Sequence, residues 1–176
     1  MRAFAVEETA ARPAGSARSM PYQTFRGTQD AKQLRVGILV SRFNEFITEA
    51  LSNAALEVLE ARGCPHENVI FVKVPGAFEL ASAALEMAPH CDCIVALGAV
   101  IRGDTPHFDY IARAAAEGLQ RVSLDTGVPI AFGVLTTDDM QQAMDRAGGK
   151  TGNKGAEAAE TAIEMANLVK RLREPR

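Results

Sequence analysis

The sequence predicts an α/β fold, a three-layer sandwich in which helices cover both faces of a four-stranded parallel sheet. Three observations carry that prediction. From Leu34 onward, short apolar runs rich in β-branched residues recur at 35–40, 69–74, 93–99 and 129–135. Between them lie longer stretches whose apolar residues repeat at helical spacing. Strands that alternate with helices in this way pair in parallel, with both faces of the sheet covered.

The elements follow in order. Residues 1–34 carry Arg, Ser, Gly, Pro and Gln without a sustained period, so they read as a flexible N-terminal arm. Within it Pro21-Tyr22-Gln23-Thr24-Phe25 suggests a short edge strand near 21–26. The first residues lack the apolar stretch of a secretory signal, and Glu7 and Glu8 argue against an organellar transit peptide. Residues 35–176 then form a single domain. Arg35 to Val40 is the first strand, and Ile47, Ala50, Leu51, Ala54, Ala55, Val58 and Leu59 mark a helix that Gly63 stops. A second strand over 69–74 ends at Pro75-Gly76, and a helix of about ten residues follows from Ala77 to Met87. The third strand is 93–99, backed by a helix whose apolar face holds Phe108, Ile111, Ala115, Leu119 and Val122. After the fourth strand, Thr136 or Thr137 is placed to cap a helix with Asp138 and Asp139 in its first turn. Gly148-Gly149 ends that helix, and a last one runs from about Lys154 to Arg173. The whole is a flavodoxin-like arrangement.

Composition narrows the function. The chain has 176 residues, of which 47% are apolar, enough for one domain with a hydrophobic core. A net charge of −3 gives no reason to expect nucleic acid or an acidic membrane as partner. No apolar run is long enough to span a bilayer. The three cysteines, Cys64, Cys91 and Cys93, form neither a CxxC pair nor a Cys/His ligand set. They read as reduced thiols in a cytosol, and no metal site is expected.

In an open parallel sheet, ligands sit beyond the carboxyl ends of the strands. The loops to examine are therefore Ser41 to Glu45, Pro75 to Glu79, Val100 to His107 and the turn after Leu135. Gly103, Thr105 and the helix start behind them form either a phosphate cradle or a plain glycine turn capping a helix. Asp104 suits a phosphate only if it offers its amide and turns its carboxylate away. His107 is the one histidine at this end of the sheet, where imidazole suits proton transfer or simply caps its helix. Glu79 either holds the hydroxyls of a polyol or favours the helix dipole. Phe43, an aromatic in a polar loop, wants a planar ligand or a neighbouring subunit. The Ser41-Arg42-Phe43-Asn44 turn is not the Ser/Thr/Gly-rich loop that holds a flavin mononucleotide, and the acidic cluster of a phospho-accepting regulator is absent from the sequence.

Six stretches in order carry a resemblance: Ser41-Arg42-Phe43-Asn44, Pro75-Gly76-Ala77-Phe78-Glu79-Leu80, Leu97 to Gly103, Thr105-Pro106-His107-Phe108-Asp109-Tyr110, Phe132 to Thr136, and Arg146-Ala147-Gly148 leading into Gly152-Asn153-Lys154-Gly155. From about Leu34 to its end the chain resembles the lumazine synthases. That resemblance implies condensation of 5-amino-6-ribitylaminouracil with 3,4-dihydroxy-2-butanone 4-phosphate, without metal or redox cofactor. It implies that Phe43 stacks on the pyrimidine, that Ala77, Phe78 and Glu79 hold the same substrate, and that Ala99, Val100 and Ile101 line its pocket. It assigns Asp104, Thr105 and Arg146 to the phosphate and His107 to proton transfer. Phe132, Arg146 and, as a further candidate, Lys154 would come from an adjacent subunit. The implied assembly is a pentamer or a sixty-subunit shell of twelve pentamers, in the cytoplasm. Competing readings are the related pentameric riboflavin synthases and a non-catalytic binding or shell protein on the same scaffold.

Overall fold

A computed structural model describes residues 23–174. The chain runs β1 (Val36–Ser41), α1 (Glu45–Ala61), β2 (Val69–Val74), α2 (Leu80–Met87), β3 (Cys93–Ile101), α3 (His107–Thr126), β4 (Ile130–Thr137), α4 (Met140–Arg146), β5 (Ala147–Gly149), β6 (Gly152–Asn153) and α5 (Lys154–Arg173). Single turns of 3-10 helix precede β2, α2 and β3. The first four strands make one parallel sheet in the order β2-β1-β3-β4. This is the flavodoxin-like α/β sandwich that the strand and helix pattern predicts.

Side chains alternate across a strand, so each strand feeds two cores. On one face Ile38, Val40, Val95 and Leu97 pack with Ile47, Leu51 and Leu59 of α1 and with Ala159, Ala162 and Ile163 of α5. On the other, Leu39, Ile94 and Ala96 meet Leu80 and Ala84 of α2 and Ala115, Leu119 and Val122 of α3. The central strands β1 and β3 are buried almost end to end, whereas the edge strand β2 leaves Ile70 and Phe71 exposed. Small residues let α5 lie close on its neighbours. A Cβ built at Gly155 would collide with the Leu51 carbonyl oxygen, so the backbones of α1 and α5 touch there. All three cysteines are buried and unbridged, and burial pushes the Cys91 thiol up to about 11.

Several sequence expectations change on contact with the structure. Composition predicts a flexible arm up to residue 34, but its last part is docked: Ala31 and Leu34 are buried, and Gln29 donates to the Glu160 carbonyl of α5 at 3.1 Å. Composition misled here because polar side chains surround the few apolar anchors. Residues 23–26 form no strand, and positions 21 and 22 of the expected edge strand lie outside the described residues, as does the rest of the arm up to them. Neither Thr136 nor Thr137 caps a helix, because β4 continues through both. Asp139 is the cap, its carboxylate accepting from the Gln142 N–H at 2.8 Å, and Asp138 lies outside the helix. The glycine link after α4 is a two-stranded antiparallel hairpin, β5 with β6. Asn153 then caps α5, accepting from the Gly155 N–H at 2.8 Å.

Candidate active site

The order β2-β1-β3-β4 sends the chain outward on one side of β1 and then on the other. That reversal opens a crevice between the carboxyl ends of β1 and β3, where an open α/β sheet holds its ligands. A cleft of about 880 Å³ lies there, lined by Phe43, Ala77, Phe78, Glu79, Ala99, Val100, Ile101, Thr105 and His107 among others. Residues from three strand ends and one helix start thus meet in one place.

Each is delivered by local structure. Beyond β1 the ladder to β2 continues, with the Arg42 N–H donating to Val74 O at 2.8 Å and the Phe43 N–H to Pro75 O at 3.2 Å. Asn44 then takes a left-handed conformation, with φ 59°, which asparagine tolerates better than most residues. Its side-chain amide donates to Ala99 O at 2.9 Å, tying the start of α1 to the end of β3. Phe43 is left projecting, 70% exposed, over the mouth of the cleft. Phe78 and Tyr110 are exposed around the same cleft, and an apolar patch of this kind marks a place where a ligand or a neighbour binds. The 3-10 turn Ala77–Glu79 sets Phe78 and Glu79 on the rim while Ala77 is buried beneath. Ala99 and Val100 are buried in β3, so they offer the cleft mainly backbone.

Past β3 the loop 103–106 leads to His107, the first residue of α3. The helix start points its free N–H groups toward the loop, a favourable place for an anion. Thr105 and His107 line the cleft, whereas Asp104 is exposed and does not. Arg102 reaches away from it, forming ion pairs with Asp109 at 3.4 Å and Asp138 at 3.2 Å. The hydrogen bonds to Asp109 and then to Asp138 push its guanidinium further up in pKa.

The remaining sequence candidates do not join this cleft within one chain. Phe132, Arg146 and Lys154 line a second hollow of about 320 Å³ beside β4, together with Thr136 and Glu157. Phe132 is 46% exposed there, and the Arg146 guanidinium rests on the Gln142 carbonyl at 3.0 Å. Lys154 pairs with Glu157 at 2.6 Å. Among the described residues no Lys or Arg lines the first cleft. The sequence reading missed Phe108, Tyr110 and Ile111, which also line it. Tyr110 stands three residues after His107 on the same helical face, and that spacing was the signal available. His66 and His90 lie exposed at the opposite end of the sheet. Among the described residues no group of three metal-ligating side chains gathers, and no helix is long and apolar enough to cross a membrane.

Comparison with known proteins bears on this geometry. Residues 33–170 match the family described as 6,7-dimethyl-8-ribityllumazine synthase. Relatives carrying that name in Nitratidesulfovibrio vulgaris strains DP4 and Hildenborough are each 47% identical over 152 residues, covering 85% of this chain and 97% of their own length. The match spans β1 through most of α5, and so every residue lining either hollow. The chain belongs to the 6,7-dimethyl-8-ribityllumazine synthase family of transferases.

Proposed function

We propose that the chain condenses 5-amino-6-ribitylaminouracil with 3,4-dihydroxy-2-butanone 4-phosphate to 6,7-dimethyl-8-ribityllumazine, releasing phosphate, in riboflavin biosynthesis. The observation that carries this reading is the cleft itself: an exposed aromatic, a polar rim and a histidine at a helix start face one space of about 880 Å³. In it Phe43 stacks on the pyrimidine, Phe78 and Glu79 hold the ring and the ribityl hydroxyls, and Ala77 with Ala99, Val100 and Ile101 presents backbone groups. The phosphate lies at the α3 start against Thr105, with the Asp104 amide and not its carboxylate turned toward it.

The chemistry asks for alignment and proton transfer. The pyrimidine amine attacks the ketone, water leaves to form an imine, phosphate is eliminated, and the second carbonyl condenses with the ribitylamino nitrogen to close the ring. Holding the two reactants in register contributes up to about 7–11 kcal/mol in favourable cases. His107 gives and takes the protons at the attacking and leaving atoms, which adds about 10²–10⁴-fold.

A dianionic phosphate in a cleft to which the described residues bring no cation is poorly balanced. The second hollow supplies what is missing, with Arg146, Lys154 and Phe132 side by side. A complete site therefore forms between two copies, one giving the His107 cleft and the other the Arg146 hollow, as a closed ring of five subunits or a shell of such rings allows. Mixing both substrates with the pure chain tests the reading directly. Lumazine absorbance should rise together with one phosphate released per turnover. No lumazine from a folded oligomer would overturn it, and riboflavin formed from lumazine alone would favour the dismutating relatives instead.

A further inference from the structure

One side chain fastens the loop that carries His107, and the proposed chemistry does not use it. Arg102 stands between the end of β3 and Gly103. Its backbone N–H donates to Thr137 O at 2.9 Å, adding a rung beyond the β3–β4 ladder. Its guanidinium then serves three neighbours. Nε donates to Asp138 Oδ1 at 3.2 Å, Nη1 and Nη2 donate to the two oxygens of Asp109 at 3.5 and 3.4 Å, and the charged plane lies 4.1 Å from the centre of the Phe108 ring. Asp138 follows β4 directly, and Phe108 and Asp109 belong to the first turn of α3. One residue thus joins two strand ends to the helix that begins with His107.

Phe108 and Ile111 pack the inner side of that turn against the core, and the Asp109 N–H donates to Pro106 O at 3.0 Å, but the outer, polar side is held by Arg102. Asp104, Thr105 and His107 make no side-chain hydrogen bond among the described residues, and nothing crowds the Cβ position of Gly103. We infer that Arg102 is a positioning residue of this reaction, setting the first turn of α3, and with it Thr105 and His107, against the strand ends that hold the other substrate. The inference rests on the roles proposed above for His107 and Thr105. A direct grip on phosphate is the competing role for an arginine beside a glycine loop. Against it, three of the guanidinium donors are already spent on two carboxylates, and Arg102 does not line the cleft. Those carboxylates would also repel a phosphate brought among them. Lysine offers a point charge that cannot bridge both acids and stack on a ring at once.

The three partners are largely solvent-exposed, with 44% of the Arg102 side chain, 62% of Asp109 and 70% of Asp138 accessible. Exposed pairs contribute little to global stability, so kinetics rather than unfolding should report the loss. In Arg102→Ala, kcat should fall about tenfold or more and KM for the phosphate substrate rise several-fold, while KM for the pyrimidine stays within about twofold. Arg102→Lys should recover only part of the rate, and millimolar guanidinium should raise the rate of the alanine variant but not of the native chain. Asp138→Asn and Asp109→Asn should show the same split in milder form, which keeps the inference testable if Arg102→Ala folds poorly. Native kinetics in all of these variants would overturn it, as would equal rises in both KM values accompanied by a large drop in Tm. A native chain that makes no lumazine in the same assay defeats the proposed function itself, a separate outcome.

Discussion

The residues assigned to the chemistry are held with unequal firmness. Phe43 is fixed on both sides, by its N–H bond to Pro75 O just past β2 and by the left-handed Asn44 hooked to Ala99. His107 makes no side-chain hydrogen bond among the described residues and depends on its helix turn, packed inside by Phe108 and braced outside by Arg102. On the proposed function, removing the imidazole leaves the contacts to the pyrimidine in place. His107→Ala should therefore lower kcat by about 10²–10⁴-fold with pyrimidine KM near native, a split that steady-state kinetics reads directly. Undiminished turnover would take His107 out of the mechanism. In the proposed function Arg146 serves binding rather than proton transfer. A charge-assisted bond to phosphate is worth about 1.5–3 kcal/mol, so Arg146→Ala should raise KM for the phosphate substrate by roughly ten- to a hundredfold. An unchanged KM would place that guanidinium away from the phosphate. At this scale the sequence showed residue type but not direction. Asp104 and Thr105 are neighbours, yet only Thr105 lines the cleft, and Tyr110 shares that lining because α3 begins at His107.

Among the elements, α1 and α5 meet backbone to backbone. Gly155 sits where any side chain meets the Leu51 backbone, which cannot step aside as a flexible side chain can. Gly155→Ala should cost about 1–3 kcal/mol, seen as a lower denaturant midpoint at unchanged slope. No loss would mean that the helices have room to part. At the amino end of the sheet Asp92 accepts from the Arg35 N–H at 2.7 Å and pairs with its guanidinium at 3.3 Å. Burial pushes the Asp92 carboxyl up, but the bonds from Arg35 outweigh it and leave the carboxyl below its ordinary value of 3.8. A depressed carboxyl stabilises the fold above its unfolded pKa, and that contribution disappears as pH falls through the folded one. Below about pH 4 the native Tm should drop more steeply than that of Asp92→Asn, and parallel curves would assign the ion pair no role. Helix limits were legible where an apolar stripe or a glycine marks them, as at Gly63. They were not legible at α4, where Thr136 and Thr137 look like caps and yet continue the ladder to Val100 and Ile101.

For the molecule as a whole, the two hollows set the central expectation. If one copy supplies His107 and the next Arg146, a variant lacking either should still donate the other. At phosphate-substrate concentrations well below the raised KM, where each variant alone turns over slowly, His107→Ala and Arg146→Ala chains refolded together in equal amounts should regain activity, with about a quarter of the sites complete by random mixing in a closed ring. Sedimentation of the native chain should give a particle at least five times the 18.8 kDa subunit. A monomer, or a mixture no more active than its parts, would end the shared-site reading. On that reading, ligand and neighbour together would cover Phe43, Phe78, Phe132 and Tyr110, all exposed in the single chain.

Local pattern carried a large part of this protein. The alternation of apolar runs with helical stripes, the faces each element buries, and the loops at the strand ends were all readable residue by residue. They are near-neighbour properties, set by side-chain period and by glycine, proline and cap chemistry. The order β2-β1-β3-β4, the docking of 27–34 against α5, the backbone contact at Gly155 and the separation of Arg146 from His107 within one chain were decided only by tertiary structure. Each depends on which distant segments meet, and the period of a single element does not encode its partner.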